Sequence, residues 1–334
     1  MVTMSDVARE AGVSVMTVSN VLSERRPVGA PTRARVLAAV EALGFEVNLT
    51  ARHLRAGRTD TVALVVPSFH DYFGEVADEI APLVEAEGRH LVLERTAARP
   101  EQEIASLGVA RLHLYDGVLL SVAALEPEQL DRVRTTKPVV LLGERDVPGR
   151  FDHVRLANEE GARLATAHMI AGGSRRILVL GGALETTHMM TTDRRAGWET
   201  AHREAGLPVD DRYVVPVANY SSAGARDALG EVIASGLPFD GVFAVTDVIA
   251  LGAISALAAS GLRVPDDVQL AGFDDLDVSN FVPPGITSVD PNHPGVAREA
   301  VRLLHRRMAD AGAPAEHLVA PVRLVVRGST RAAR

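Results

Sequence analysis

The 334-residue chain contains no cysteine, which excludes disulfide bonds, thiolate metal ligands and a thiol nucleophile. Aromatic residues are few, and Trp198 is the single tryptophan. No apolar run approaches the ~18 residues needed to cross a bilayer, and the N-terminus lacks the basic and apolar regions of a signal peptide. These absences predict a cytoplasmic protein with no membrane partner.

Catalytic and nucleotide-binding motifs are also missing. The chain has no GxGxxG, P-loop, HExxH or GxSxG sequence. Its eleven histidines do not cluster with carboxylates at metal-ligand spacing, and paired acids such as Asp274-Asp275 have no partnering base. We therefore expect no enzymatic activity, no catalytic residue, no metal and no cofactor.

Charge is distributed unevenly along the chain. The net charge is −8, but residues 1–60 hold 8 arginines against 6 acidic residues, and the remainder holds 27 basic against 37 acidic residues. The N-terminal segment is therefore +2 and the rest is −10. A mildly basic head on an acidic body fits local contact with phosphates and little non-specific adhesion of the body to nucleic acid.

The sequence SDVAREAGVSVMTVSNVLSE at residues 5–24 has the pattern of two short helices. Gly12 permits a tight turn between them, Ser14 is placed to cap the second helix, and Val13 can pack on Val18 across that cap. This arrangement is typical of a helix-turn-helix, whose second helix enters the DNA major groove; an ordinary helical hairpin is the alternative. The apolar positions with helical spacing are Met4, Val7, Ala8 and Ala11, then Val18, Val21 and Leu22.

A third helix is predicted at 31–43, with Gly29 at its N-cap and Gly44 as its C-terminal stop. Residues 48–54 (NLTARHL) form two helical turns at most. So short a helix is marginal in isolation because nucleation is costly, and a partner is expected to order it.

From residue 61 onward, short apolar runs alternate with helical stretches. Such runs are typical of strands buried on both faces, and their alternation with helices predicts parallel sheets in two successive sets. The predicted strands are 62–66, 91–93, 117–120 and 139–142, then 176–180, 213–217, 241–245, 268–271 and 322–327. The predicted helices are 74–87, 159–171, 193–205, 223–235 and 247–260.

Motifs along essentially the whole chain resemble the LacI/GalR family of bacterial transcription regulators. In chain order they are DVAREAGVSVMTVSNVL, TRARVLAAVEALGFEVN, ARHL, RRAGW at 194–198, TDVIALGAISAL at 246–257 and AGFDD at 271–275. The resemblance implies an N-terminal all-α headpiece, a hinge helix, and an α/β core of two parallel-sheet subdomains resembling a periplasmic sugar-binding protein. It also implies a homodimeric repressor on a near-palindromic operator, controlled allosterically by a small molecule.

The resemblance and the patterns together divide the chain. The headpiece is expected at 1–46, the hinge helix and linker at 47–60, and the effector-binding and dimerisation core at 61–330. Within the core, the N-subdomain is expected at about 61–155 plus 290–317, and the C-subdomain at about 156–289 plus 318–330.

The predicted DNA contacts fall into three kinds. Val15, Met16 and Asn20 can reach base edges, although Met16 could instead belong to the headpiece core. In the family, a leucine matching Leu54 wedges into the minor groove; the alternative is that Leu54 packs on its own core. The remaining predicted contacts are Ser14, Thr17, Ser19, Thr32 and Arg33, which look like phosphate contacts or else caps and solvated surface, and Asn48 in the hinge segment.

The resemblance also implies an effector site. Asp274 and Arg194 match the family's polar clamp on ligand hydroxyls, with an interdomain ion pair as the alternative. Asp247 is expected to cap its helix and to touch the ligand, and Trp198 to lie buried behind the site. Rings against the ligand are expected from Tyr72, Phe73 and Tyr220, each with core packing as its alternative.

Effector identity stays open at this stage. A sugar or sugar derivative is the family's usual ligand, and some relatives bind purines. Thr246 stands where many relatives carry asparagine, and Gly143-Glu144-Arg145 has no assigned role. The competing classes are a solute receptor, a sugar-modifying enzyme and a regulator that senses a protein partner.

Overall fold

A computed structural model describes residues 2–23, 26–45, 58–135, 137–182 and 189–332. The chain divides into two units, residues 1–59 and 60–334. Within the described ranges, no helix is both long enough and apolar enough to span a membrane.

The N-terminal unit contains three helices: α1 (Met4–Ala11), α2 (Val15–Ser23) and α3 (Ala30–Leu43). Thr3 caps α1 through a reciprocal pair of hydrogen bonds with Asp6. Gly12 ends α1 in the left-handed conformation, with φ 62°, and the predicted Ser14 cap of α2 is confirmed. The buried core joins all three helices and consists of Val7, Ala8, Ala11, Val18, Val21, Val36 and Ala39.

The predicted third helix is confirmed to within one residue. Gly29 supplies no side-chain cap, and Pro31 in the first turn fixes a helical φ. Gly44, with φ 59°, terminates the helix as expected. Residues 46–57, which include most of the predicted hinge segment, lie outside the described residues.

Two six-stranded sheets form the second unit. The first has the order β11-β5-β4-β3-β1-β2, and every pairing in it is parallel. Its strands are β1 (Thr61–Val66), β2 (His90–Arg95), β3 (Gly117–Ser121), β4 (Val139–Leu142), β5 (Asp152–Leu156) and β11 (His317–Ala320).

The second sheet has the order β12-β10-β9-β8-β6-β7, with one antiparallel pairing, between β10 and β12. Its strands are β6 (Ile177–Leu180), β7 (Val214–Val215), β8 (Gly241–Ala244), β9 (Gln269–Phe273), β10 (Thr287–Asp290) and β12 (Arg323–Val325). All residues of β6, β8 and β9 are buried, so these strands are nearly continuous apolar runs rather than alternating, with Gln269 at the start of β9 as the polar exception.

Helices connect the strands and pack on both sheets. They are α4 (Tyr72–Glu85), α5 (Pro100–Ser106), α6 (Val109–Leu112), α7 (Pro127–Arg132), α8 (Asn158–Ala171), α9 (Met189–Glu204), α10 (Ser222–Ser235), α11 (Asp247–Ala259), α12 (Val278–Phe281) and α13 (His293–Ala309). The predicted fold class, a helix-turn-helix unit followed by an α/β core of two mainly parallel sheets, is confirmed.

The chain passes between the sheets three times, after β5, after β10 and after β11. Helix α13 packs on α4 and on strands β3, β4 and β5, so it lies with the first sheet. The predicted subdomain boundary between residues 317 and 318 is wrong, because β11 continues to Ala320 in parallel register with β5. This edge strand is partly exposed, and it therefore lacks the continuous apolar run by which the buried strands were predicted.

Candidate functional site

The outer face of α2 is apolar although it is exposed. Met16 is 70% exposed and Val15 44%, whereas Val18, one turn away from Ser14, is completely buried. The alternative that Met16 belongs to the headpiece core is therefore wrong. Asn20 is partly buried. Val15 and Met16 therefore form an exposed apolar pair at the start of α2.

The residues predicted to contact phosphates differ in their exposure and in their hydrogen bonds. Ser14 Oγ accepts the Thr17 N–H at 3.1 Å and lies 2.9 Å from Thr17 Oγ1, so Ser14 is a cap as well as an exposed hydroxyl. Ser19 and Thr32 are partly buried, and Arg33 is exposed. Asn48 and Leu54 lie outside the described residues, and their predicted roles stay predictions.

In the second unit, Arg194 in α9 is almost completely buried, with 3% of its surface exposed. Its Nε donates to Asn158 Oδ1 at 2.7 Å, and its Nη1 donates to the carbonyl oxygen of Val245. The guanidinium also stacks on the Phe273 ring, with its carbon 3.4 Å from the ring centroid. Burial lowers the pKa of Arg194, which the neighbouring acids partly oppose.

A close helix contact brings Arg194 to Asn158. Gly197, one turn after Arg194, lies against the backbone carbonyl of Glu159 in α8, and a Cβ there would clash. This contact allows α9 to approach the first turn of α8, where Asn158 stands. Gly197 of the RRAGW motif therefore allows the two helices to pack closely, and this packing positions Arg194.

Asp274 follows β9 and lies beside Arg194. Its Oδ1 lies 3.4 Å from Arg194 Nη1, and the residue is 4% exposed. Its φ of 110° is in the left-handed region that side chains rarely adopt, and such strain is common in ligand-binding loops. Burial raises the pKa of Asp274 to about 8, although Arg194 opposes the shift.

Arg194 and Asp274 both belong to the second half of the core, in α9 and after β9. The alternative that they form an interdomain ion pair is therefore wrong. The first half contributes Glu144, after β4, whose carboxyl group interacts electrostatically with Arg194, and Tyr72, at the start of α4. All of these residues follow the carboxyl ends of parallel strands, where ligands bind in open α/β sheets.

Glu144 and Arg145 have different environments. Arg145 donates to the Ala123 carbonyl at 2.9 Å and to Glu126 at 2.7 Å. Glu144 Oε1 accepts the Leu156 N–H at 3.1 Å, and burial raises the pKa of Glu144 to about 7. Sequence reasoning left this motif unassigned, because nothing local shows which distant groups the two charged side chains contact.

Asp247 has a different position from the one expected. The helix cap is Thr246, whose hydroxyl accepts the Ile249 N–H at 3.3 Å, so the prediction that Asp247 caps α11 is wrong. The buried Asp247 carboxylate instead accepts hydrogen bonds from the Leu276 N–H, at 2.9 Å, and from two serine hydroxyls, Ser279 at 2.7 Å and Ser288 at 2.6 Å. It therefore holds the loop that follows Asp274.

Two of the three aromatic rings predicted to contact the ligand, Tyr72 and Phe73, lie together, and the third, Tyr220, does not. Tyr72 and Phe73 form an edge-on pair with centroids 5.2 Å apart, and Tyr72 also lies 5.1 Å from the His293 ring. Burial, Glu144 and Asp274 all raise the pKa of Tyr72. Tyr220 is 38% exposed and has no ring contact with Tyr72 or Phe73 in the described part of the chain.

Trp198 is buried as expected, at 1% exposure. Its Nε1 donates to the carbonyl of Ile177, the first residue of β6, at 3.0 Å. It therefore packs toward the amino end of that strand, and the site residues lie beyond the carboxyl ends. Sequence reasoning missed Asn158 and Phe273 as site residues. Asn158 directly precedes the predicted helix 159–171 and Phe273 follows the predicted strand 268–271, but their partners are distant in sequence.

Comparisons with known proteins agree with this arrangement. A family model described as bacterial regulatory proteins, lacI family, matches residues 3–48, and a periplasmic binding protein-like domain model matches residues 166–330. The HTH-type transcriptional repressor PurR of Pasteurella multocida (strain Pm70) is 30% identical over 334 residues, with 99% of each chain covered.

Two solved structures are also similar along the whole chain. The transcriptional regulator CelR in complex with cellobiose is 30% identical, with TM-score 0.72, 98% of this chain covered and 100% of that chain. The lac repressor dimer bound to operator and the anti-inducer ONPF is 25% identical, with TM-score 0.83 and 99% of each chain covered.

A helix-turn-helix unit joined to a core of this kind defines a DNA-binding transcription regulator with a ligand-binding core. This chain belongs to the lacI family of bacterial regulatory proteins. The resemblance inferred from its motifs is confirmed.

Proposed function

We propose that this protein is a homodimeric repressor of the cytoplasm that binds a near-palindromic operator, without enzymatic activity. A small molecule held between the two halves of the core sets its affinity for DNA. The observation that carries the proposal is the buried Arg194–Asp274 pair, which is positioned by Asn158, Val245 and Phe273 and faces Glu144 and Tyr72 of the first half.

The effector contacts in this proposal are Arg194, Asp274, Tyr72 and Phe73, with Tyr220 as an outer ring. Asp247 has a positioning role, since its carboxylate oxygens are engaged by the loop after Asp274. A sugar or sugar derivative fits a site that combines carboxylates, a guanidinium and rings. One of the similar proteins is consistent with this class, since CelR is in complex with cellobiose.

Regulation follows from the enclosure of the site. Arg194 and Asp274 are almost inaccessible in this structure, so a ligand must change the relative position of the two halves to reach them. A ligand that favours one arrangement and a DNA that favours the other are linked by a coupling of typically 1–3 kcal/mol, about 5- to 150-fold in affinity. By reciprocity, operator DNA changes effector affinity by the same factor.

The proposed effector site is tested by measuring the melting temperature of the full-length protein in the presence of sugars, sugar phosphates, nucleosides and purines. A ligand at 100 times its dissociation constant adds about 2.7 kcal/mol to the stability of the folded state, which is visible as a shift. We expect at least one compound to raise the melting temperature and Arg194→Ala to abolish that shift. A shift that persists unchanged in Arg194→Ala would contradict the proposed site.

The proposed operator binding is tested by selecting binding sites from a random duplex library and measuring the affinity for the selected DNA at several salt concentrations. We expect a near-palindromic sequence whose binding weakens steeply as salt rises, because phosphate contacts release counterions. Met16→Ala is expected to relax base preference at one position of each half-site. Leu37→Ala, which removes an exposed apolar side chain from α3, is the matched control. Salt-insensitive or sequence-independent binding would contradict the proposal.

A further inference from the structure

Glu103 is a completely buried acid in the middle of α5. Its carboxylate accepts hydrogen bonds from the N–H groups of three consecutive residues, Ala123, Ala124 and Leu125, at distances of 3.0 to 3.2 Å. Burial raises the pKa of Glu103, although these hydrogen bonds and the charge of Arg145 oppose the shift. A buried carboxylate is costly unless it is hydrogen-bonded, so Glu103 and the three N–H groups hold each other in place.

The residues bound by Glu103 belong to the loop that follows β3, and this loop lies beside the one that follows β4. The Val122 N–H donates to the Leu142 carbonyl at 2.9 Å, which continues the pairing of the two strands. Beyond this point Gly143 has a φ of 105°, and a Cβ there would lie 3.2 Å from the Val122 carbonyl oxygen. The two loops are therefore in close contact where the strands end.

Arg145 joins the loop after β3 to the segment that carries Glu144. Its Nε donates to the Ala123 carbonyl at 2.9 Å, and its Nη1 donates to Glu126 at 2.7 Å. Ala123 thus donates to Glu103 through its N–H and accepts from Arg145 through its carbonyl oxygen. The Arg145 side chain is only 11% exposed, so it is largely withdrawn from water.

Glu144 is in turn bound to the next strand of the sheet. Its Oε1 accepts the N–H of Leu156, the last residue of β5, at 3.1 Å. The backbone pairing between the two strands ends just before this point, where the Gly143 N–H donates to the Val154 carbonyl at 3.2 Å. The Glu144 side chain therefore supplies the acceptor for an N–H group that lies beyond the end of β4. Protection of the Leu156 amide reports whether Glu144 is in place.

We propose that Glu103 and Arg145 are positioning residues, which determine where the Glu144 carboxylate lies on the first-half side of the effector site. Glu103 fixes the loop after β3, and Arg145 is braced on that loop. Glu144 is held beside them, where its carboxyl group interacts electrostatically with Arg194. This inference rests on the proposed effector site and adds two residues that act on it through Glu144.

The experiment is hydrogen exchange of the full-length protein without ligand or DNA, resolved to single amides by fragmentation in the mass spectrometer. We expect Glu103→Ala to lower the protection of the three loop amides that it binds. We also expect it to lower the protection of the Leu156 amide about 10-fold, the effect of one lost hydrogen bond to a charged group. Glu101→Ala, at an exposed acid in the same helix, is the matched control and is expected to leave all four amides unchanged.

Two further variants separate positioning from a general loss of structure. Arg145→Ala leaves the loop bound to Glu103, so we expect lower protection at Leu156 while the three loop amides stay protected. Glu103→Gln keeps one oxygen as an acceptor and replaces the other by a donor, so its effect at Leu156 is expected to be smaller than that of Glu103→Ala. The amide of His153, in the same strand as Leu156, donates to a backbone carbonyl at 2.9 Å and is expected to keep its protection in every variant.

Glu144→Ala sets the largest loss expected at Leu156, because it removes the acceptor itself. If Leu156 stays protected in this variant, or in both Glu103→Ala and Arg145→Ala, the proposal is overturned, since Glu103 then holds only its own loop. Equal losses at Leu156 and His153 overturn it as well, because the strand and not Glu144 would have been loosened. The measurement needs no ligand, so these outcomes leave the proposed effector site standing. That site fails separately, if Arg194→Ala keeps the ligand-induced shift in melting temperature.

Discussion

The two halves of the core hold their site residues in different ways. Around the second sheet, Arg194 is fixed by hydrogen bonds to Asn158 and Val245, by Asp274, and by stacking on Phe273. Around the first sheet, Glu144 makes one backbone hydrogen bond. The second half is thus organised before a ligand arrives, and we interpret the first half as the part that closes on it.

Among the residues that the structure describes, the Glu75 side chain bridges the halves near this site. Glu75 of α4 accepts the Asp277 N–H at 3.1 Å through Oε1, and its Oε2 lies 3.3 Å from His293 Nδ1. Burial lowers the pKa of His293 to about 4, so above pH 5 this contact involves a neutral imidazole. The bridge joins the helix that carries Tyr72 to the loop that follows Asp274.

The largest effect is expected from a substitution in the second half of the core, where Arg194 is held by several contacts. Arg194→Ala leaves Asp274 buried without a partner, and removal of one member of a buried pair typically costs about 3–5 kcal/mol. We expect the loss in free energy of unfolding, measured by urea denaturation, to be greater at pH 9 than at pH 6. The reason is that Asp274, with its pKa raised to about 8, is ionised at the higher pH.

The control for this variant is Arg203→Ala, on the same helix. Arg203 is exposed and pairs with Glu199 at the surface. Its loss is expected to change stability by less than about 0.5 kcal/mol. An equal effect of the two substitutions would show that Arg194 is no better held than a surface residue.

The next effect is a pH dependence that arises in the first half. Burial raises the pKa of Glu144 to about 7, above the value of an exposed glutamate. The stability linked to its neutral form is therefore present below about pH 4 and is lost as the pH rises through 7. Glu144→Gln cannot ionise, so its stability relative to the unmodified protein is expected to rise between pH 5 and pH 8, by on the order of 2–3 kcal/mol at most.

This prediction is checked by melting curves of both proteins at several pH values without ligand. Glu159→Gln serves as the control, because its side chain is exposed. A stability difference for Glu144→Gln that stays constant with pH would show that Glu144 is not held in a low-dielectric environment.

The smallest effect is expected at the bridge. Glu75→Ala removes one hydrogen bond to Asp277, worth about 1 kcal/mol, and releases the first half from the loop. We expect effector affinity to change about 3- to 10-fold, with little change in headpiece stability. Asp78→Ala, which removes an exposed acid from the same helix, is the control. Unchanged effector affinity in Glu75→Ala would argue against coupling through this contact.

Much of the fold could be predicted because its signals are local. The α2 cap depends on Ser14 and Thr17, three residues apart, and the ends of α1 and α3 depend on single glycines. Buried strands such as β6 and β8 are apolar at every position. Strands β5 and β10 were missed because their sequences, DHVRL and TSVD, carry polar residues whose partners come from elsewhere in the chain.

Asp152 illustrates this limit. It is the first residue of β5 and is completely buried, but its carboxylate is satisfied by Arg306 and Arg307 of α13 and by the Glu316 N–H. A buried acid with two arginine partners about 150 residues away gives no local sign of a strand. Long-range pairing of this kind becomes visible only when both segments are placed on the same sheet.

The sequence by itself determined the class of protein, the helix-turn-helix unit and the alternation that builds two sheets. It also singled out Arg194 and Asp274, through a motif and not through their contacts. The tertiary structure decided that these two residues lie in one half, that Glu144 and Arg145 bind different partners, and that Asp247 holds a loop. The reason is physical: caps and periodicity act over three or four residues, whereas the burial and pairing of a charge depend on which distant segments the three sheet crossings bring together.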